Sequence, residues 1–176
     1  MKYVFGPVIS RRLGRSLGID PIPSKTCNFQ CIYCQLGKTT NFTNELLEYI
    51  PTKEIIAEME LAIKLNEDKM DYITFVGSGE PTLHSKLNEL ILKAKNLSNI
   101  PICVITNGSL LDNPQVRNNL LDADVVLPTL DAGDEKLFIK INRPHPSIKY
   151  DLYVQGLIDF RKEFRGKFWL EIFLMK

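Results

Sequence analysis

The sequence carries almost no net charge: across 176 residues, 22 Lys and Arg face 21 Asp and Glu, leaving +1. That balance provides no global attraction to nucleic acid or to a membrane surface. Long apolar runs are also missing. None approaches the ~18 residues that span a bilayer, and the start lacks a signal-peptide pattern, so the expected setting is cytoplasmic and reducing. Histidine is scarce. His84 follows a glycine-rich turn and is a weak candidate for a metal ligand, while His145 sits between prolines and reads as loop. Cysteine is sparse too, with four in all and an odd number clustered, which argues against a disulfide framework in a chain that is 44% apolar.

The clustered cysteines are Cys27, Cys31 and Cys34, a Cys-x3-Cys-x2-Cys triplet within residues 25–37. A free thiol ionises near ~8.5, so holding three thiolates together calls for a cation. A closed zinc site takes four ligands, usually from two separated pairs, and this sequence has no second pair. The remaining Cys103 lies in an apolar run that reads as a buried strand. The triplet therefore fits an open [4Fe-4S] cluster better than a closed zinc site. Three ligands leave one iron free to bind a small chelating molecule.

Beyond the triplet, short apolar runs alternate with amphipathic stretches, the pattern of βαβ units and a parallel sheet. Strands are expected over 17–22, 72–76, 102–105, 125–127 and 168–174. The first intervening helix should be capped by Thr52 and has apolar positions Ile55, Ile56, Met59 and Ile63 at helical spacing, and the second capped by Ser85 with Leu87, Leu90, Ile91 and Ala94 on one face. Asn113-Pro114 marks a third start, and Asp134 should cap a short helix carrying Leu137, Phe138 and Ile141. A last helix over about 147–164 should turn Tyr150, Val154, Leu157 and Ile158 inward. Five parallel strands in one domain, each reached through a helix, curl into an α/β partial barrel that binds ligands at the strands' C-terminal ends.

Candidate residues fall at those ends. The cysteine loop follows the first strand. Gly77, Ser78, Gly79 and Glu80 follow the second, where glycines allow close backbone approach and Glu80 presents a carboxylate. Asn107 follows the third, as a ribose or carboxylate contact or as a simple turn residue. Thr129 and Asp131 follow the fourth, and Asp131 could accept a ribose hydroxyl or cap the helix behind it. At the chain start, Lys2, Arg11, Arg12, Arg15 and Lys25 face only Asp20, a local bias suited to phosphate or carboxylate groups or to a solvated face.

Together these residues resemble the radical S-adenosylmethionine superfamily. Its signature is Cys-x3-Cys-x2-Cys with an aromatic before the last cysteine, as in Cys27, Cys31, Tyr33 and Cys34, and residues 77–80 are a variant of its Gly-Gly-Glu motif. Residues 5–18 are similar to the opening of a subgroup of uncharacterised iron-sulfur proteins often classed with wyosine-base tRNA enzymes, with Ile9 in place of the usual proline. The resemblance implies that the three cysteines hold a [4Fe-4S] cluster whose fourth iron binds S-adenosyl-L-methionine. It places the amino group of that cofactor at Gly77, Ser78, Gly79 and Glu80, its adenine near Tyr33, and ribose or carboxylate contacts at Asn107 and Asp131. Reductive cleavage would then give a 5'-deoxyadenosyl radical that abstracts hydrogen from an unidentified substrate, which the subgroup makes a tRNA base at its most specific. A reducing electron donor is required. Such barrels have six strands, so the expectation is a chain truncated at its C-terminus, or one completed by a further segment or partner at an open edge. Two other readings stand beside this one: an activase acting on a partner protein, and a non-catalytic iron-sulfur or electron-transfer module.

Overall fold

A computed structural model describes residues 1–174. The main sheet has six strands in the order β1 (Val4–Ser10), β2 (Gly14–Ile19), β5 (Tyr72–Phe75), β6 (Ile102–Thr106), β7 (Val125–Pro128) and β8 (Lys167–Phe168), and β3 (Thr26–Cys27) and β4 (Asn41–Phe42) form a second, two-stranded one. From β2 to β8 every pairing is parallel, and the connections carry α1 (Thr52–Asn66), α2 (Leu87–Leu97), α3 (Pro114–Leu120), and the pair α4 (Glu135–Ile141) and α5 (Tyr150–Glu163). The five parallel strands are the five expected. The strand β1 was not anticipated: it pairs antiparallel with β2, interrupted by a bulge between Phe5 and Val8. Its alternation is poor, with Ile9 93% exposed, which hides it from a period-two reading.

Alternate residues along each strand point to opposite faces. Ile73, Phe75, Ile102, Val104 and Val126 pack with Ile55, Met59, Leu90, Ile91 and Phe160 of the helices in the main core. The opposite, concave face holds a smaller cluster of Cys103, Val125 and Leu127, flanked by Tyr72, Ile105 and Trp169. Leu13, from the turn between β1 and β2, completes this inner cluster and is buried. Each fully buried Leu or Ile contributes roughly 1.5–3 kcal/mol.

Several local expectations are corrected. Thr52 does not cap α1: Pro51 precedes the helix, and the Thr52 hydroxyl is buried without a hydrogen-bond partner. Ser85 does not cap α2, because the helix begins two residues later, at Leu87, with Lys86 preceding it and no side-chain cap. Asn113 and Asp134 do cap α3 and α4, accepting from Gln115 N and Leu137 N. In α5, Ile158 faces out, and Tyr153 and Phe160 occupy the core in its place. The last strand is assigned over two residues, yet its ladder continues through Trp169 N to Val126 O at 3.0 Å and Glu171 N to Pro128 O at 2.8 Å. Among the described residues no helix is long and apolar enough to cross a membrane. The basic start is partly neutralised, since Arg15 pairs with Asp71 and Arg12 with Glu171, each at 2.8 Å.

Candidate functional site

The cysteine loop is pinned at both ends and in the middle. β3 (Thr26–Cys27) lies parallel to β4 (Asn41–Phe42), closing the loop's base, and Cys34 N donates to Cys31 O at 3.1 Å within it. Gln30 N donates to Asn142 O and Ile32 N to Ile141 O, tying the loop to the end of α4. Beneath it, Asn28 is fully buried, its amide bonded to Asn44 Oδ1 and Ser109 Oγ at 2.8 Å each. A loop whose backbone is so thoroughly engaged holds its thiols in place before any ligand arrives.

Cys27, Cys31 and Cys34 line one cavity of about 240 Å³ together with Gly77, Ser78, Gly79, Glu80 and Asn107. Burial, helped by the nearby Glu80 charge, pushes the Cys27 thiol up to about 12; burial also raises Cys31. These thiols stay protonated at neutral pH unless a cation compensates, which is the condition an iron-sulfur group satisfies. Among the described residues no three His, Cys, Asp or Glu are placed to hold a single metal ion. A cluster does not ask for that convergence, because each thiolate takes its own iron, so the donor set fits one.

On one side of the cavity stands Glu80, completely buried. Its Oε1 accepts from Thr82 N at 3.0 Å and from the hydroxyls of Thr82 and Thr106 at 2.6 Å each, and its Oε2 accepts from Asn107 N at 2.7 Å. Burial raises its pKa and these donors oppose the shift. The carboxylate thus fastens the turn after β5 to the end of β6. Gly79 is required there, since a Cβ would sit 2.0 Å from Thr26 O; at Gly77 it would sit 2.1 Å from the Asp20 side chain. Asp20 Oδ2 in turn accepts from Ser78 N at 2.9 Å and Ser78 Oγ at 2.7 Å. Ser78, the departure from a Gly-Gly-Glu pattern, is accommodated by this carboxylate.

A second cluster, assembled around Asp131, adjoins Cys31 through Asn142, and neither Asp131 nor Tyr33 lines the cavity itself. Tyr33 OH donates to its Oδ2, as does Asn142 Nδ2 at 3.2 Å, while Oδ1 accepts from Phe173 N at 2.8 Å. The Tyr33 ring stacks on Phe173, centroids 4.7 Å apart. Asp131 is therefore not the cap of α4, a role that Asp134 fills. Two amides also reach the thiols: Asn142 Nδ2 lies 3.6 Å from Cys31 Sγ and Asn107 Nδ2 lies 3.8 Å from Cys27 Sγ. His84 is buried elsewhere, its Nε2 against Ile50 O at 2.9 Å and its Nδ1 accepting from Lys86 N at 3.2 Å, so both ring nitrogens are spoken for.

Among the residues of the site that escaped the sequence reading are Thr82 and Thr106, which hold Glu80, and Asp20, Asn28 and Asn142. Asp20 directly follows β2, so the strand-end rule that found Glu80 and Asp131 also covers it. Asn28 and Asn142 carry no comparable signal, because their roles depend on contacts between segments remote in sequence.

A mostly parallel, barrel-like sheet with a cysteine triplet and a glycine-rich turn at its C-terminal mouth defines a class of cofactor-binding protein. The sequence profile of the radical SAM superfamily matches residues 22–176, and the chain belongs to that superfamily. A protein named GTPase Obg from Brachyspira hyodysenteriae is 53% identical over 175 residues, covering 99% of this chain and 26% of its own length. A UPF0026 protein of Methanocaldococcus jannaschii is 43% identical over 176 residues, 99% of this chain and 54% of that protein. An S-adenosylmethionine-dependent nucleotide dehydratase of Lacinutrix mariniflava is 31% identical over 137 residues, 73% of this chain and 28% of the dehydratase. The chain thus spans from about a quarter to about half the length of these relatives. The fold is similar to that of Streptococcus suis SuiB bound to S-adenosylmethionine, with a TM-score of 0.65 and 19% identity over 90% of this chain and 34% of that one.

Proposed function

We propose that this chain is a radical-generating barrel domain, in which Cys27, Cys31 and Cys34 hold a [4Fe-4S] cluster beside a bound S-adenosylmethionine. The observation that carries the reading is a single cavity lined both by three thiols from the loop after β2 and by the glycine turn after β5. When bound, these cofactors supply one-electron cleavage of the sulfonium and a 5'-deoxyadenosyl radical that abstracts hydrogen from the substrate. The protein's own contribution is binding, orientation and exclusion of water. Since the Glu80 carboxylate is fully engaged, the 77–80 turn meets the amino group of S-adenosylmethionine with its backbone. Tyr33, oriented by Asp131 and Phe173, flanks the adenine. Asn107 and Asp131 contact ribose or carboxylate only through the bonding capacity that Asn28, Ser109 and Tyr33 leave them.

A nucleotide, free or within tRNA, is the substrate class we favour, supported by the nucleotide dehydratase relative. GTP hydrolysis is not carried over from the relative named GTPase Obg. The run ending at Gly37-Lys38-Thr39 has Ile32 where a phosphate-binding loop needs its first glycine. An external reducing donor must supply the electron.

Anaerobic reconstitution tests the reading. The reduced protein should convert S-adenosylmethionine to 5'-deoxyadenosine, and Cys31→Ala should lose the iron and the visible absorption together. A full iron complement in Cys31→Ala, or zinc with no iron in the native protein, would sink it.

A further inference from the structure

The turn between β1 and β2 inserts into the concave face of the sheet. Leu13 is its anchor, 3% exposed against Cys103, Val125 and Leu127. Those residues lie on the strand face turned away from the helices. The neighbouring Arg12 reaches Glu171, with Nη1 to Oε1 at 2.8 Å, and its charge is felt at Cys103 on the inner face of β6. Glu171 shares the face of Trp169, two residues earlier on the last strand, and bridges Thr129. Thr129 and Ile105 both line the cysteine cavity, and Ile105 also packs on the inner cluster. The inner face is therefore one continuous surface, from the thiols down to the Arg12–Glu171 pair. Its charged side chains are Glu171 and Lys167, whose Nζ lies 5.8 Å from the Trp169 ring centroid, with Lys25 and Glu80 lining the cavity at its upper end, and Arg12 adds a guanidinium from outside the barrel strands.

A structural latch explains this arrangement poorly. The two side chains keep 50% and 34% of their surface exposed, and an ion pair so hydrated adds little to stability. Among the described residues Arg12 meets Glu171 through one of its nitrogens, whereas a guanidinium carries five donors in a fork that matches oxyanions. We propose that Arg12 anchors the phosphate of the substrate on the inner face of the barrel, with Glu171 holding the guanidinium ready until the phosphate arrives. The proposal rests on the radical reading for its choice of a nucleotide. It gives the N-terminal hairpin a role in selecting substrate, and it explains how a chain of net charge +1 accepts an anion: the cation is placed locally.

Calorimetric titration with inorganic pyrophosphate tests this, on the full chain before and after anaerobic reconstitution. Wild type should bind saturably, Arg12→Met at least ~10-fold more weakly, and Glu171→Gln more tightly, because the competing carboxylate is gone. The exposed neighbour Arg11→Met should bind as wild type does. A latch predicts a different pattern: Arg12→Met and Glu171→Gln would lower thermal stability alike and leave pyrophosphate affinity equal. That pattern, or wild type without saturable binding, would overturn the proposal. Tighter binding of citrate than of pyrophosphate would overturn the assignment to phosphate. Iron content is read separately, so failed cluster assembly would count against the cofactor reading and leave the titration standing.

Discussion

Glu80 and Asp131 both follow a parallel strand, and both end as acceptors for three other residues, but the clusters they build differ in kind, and of the two carboxylates Glu80 lines the cysteine cavity. The donors to Glu80 come from Thr82, two residues away, and from Thr106 and Asn107 on the neighbouring strand. Those to Asp131 come from the cysteine loop, from the end of α4 and from the segment after β8. Glu80 is buried and Asp131 is half-buried. The Glu80 cluster is a compact weld between adjacent strand ends, while the Asp131 cluster is a junction whose parts arrive from three regions. The weld should resist change until it breaks outright; the junction should lose its parts one at a time.

The largest expected effect sharpens this contrast at Gly79. A methyl group there meets a backbone carbonyl, which cannot move without displacing the cysteine loop. Gly79→Ala should cost on the order of 3 kcal/mol, at the upper end of overpacking, and depress iron incorporation as well. Urea unfolding and an iron assay on the same preparation provide the check. Wild-type stability would break the claim that the turn is welded.

Glu80→Ala should follow at about 3 kcal/mol, since it leaves buried donors on Thr82, Thr106 and Asn107 unpaired. Asp131→Ala should cost only about 1 kcal/mol, because two of its partners, Tyr33 and Phe173, are closer to water. If the two proved equal in urea, the difference in burial would not be what separates the clusters. Glu80→Gln keeps the shape and forfeits acceptor strength, so it should fall between them.

How much of this was legible follows from the same division. The strand ends, the triplet, the five parallel strands and the caps at Asn113 and Asp134 are local signals, and each emerged in the structure. The Thr52 and Ser85 caps failed although both residues are good formers of that motif. Each helix starts one position away from where such a cap would put it, behind Pro51 and Lys86, a shift that periodicity does not reveal. Glu80 was found as a carboxylate at the right place, but its total engagement depends on threonines whose neighbours only the fold defines. Tyr33 was read as an adenine neighbour; its bond to Asp131 and its stacking on Phe173 join residues roughly a hundred or more positions apart in the chain.

The smallest effect separates two ways in which the segment after β8 supports the junction. Phe173 contributes a ring stacked on Tyr33 and a backbone N–H to Asp131, and its side chain is 48% exposed. Phe173→Ala removes the ring and keeps the N–H. Stacking of this sort contributes about 0.5–1.5 kcal/mol when buried, so at this exposure the loss should be under about 1 kcal/mol. Deleting residues 172–176 removes the N–H as well and should roughly match Asp131→Ala, if the N–H is what secures Asp131. Should Phe173→Ala alone reproduce the full loss, the junction would be held by aromatic packing, and Asp131 would be a consequence of the contact between Tyr33 and Phe173, not its organiser.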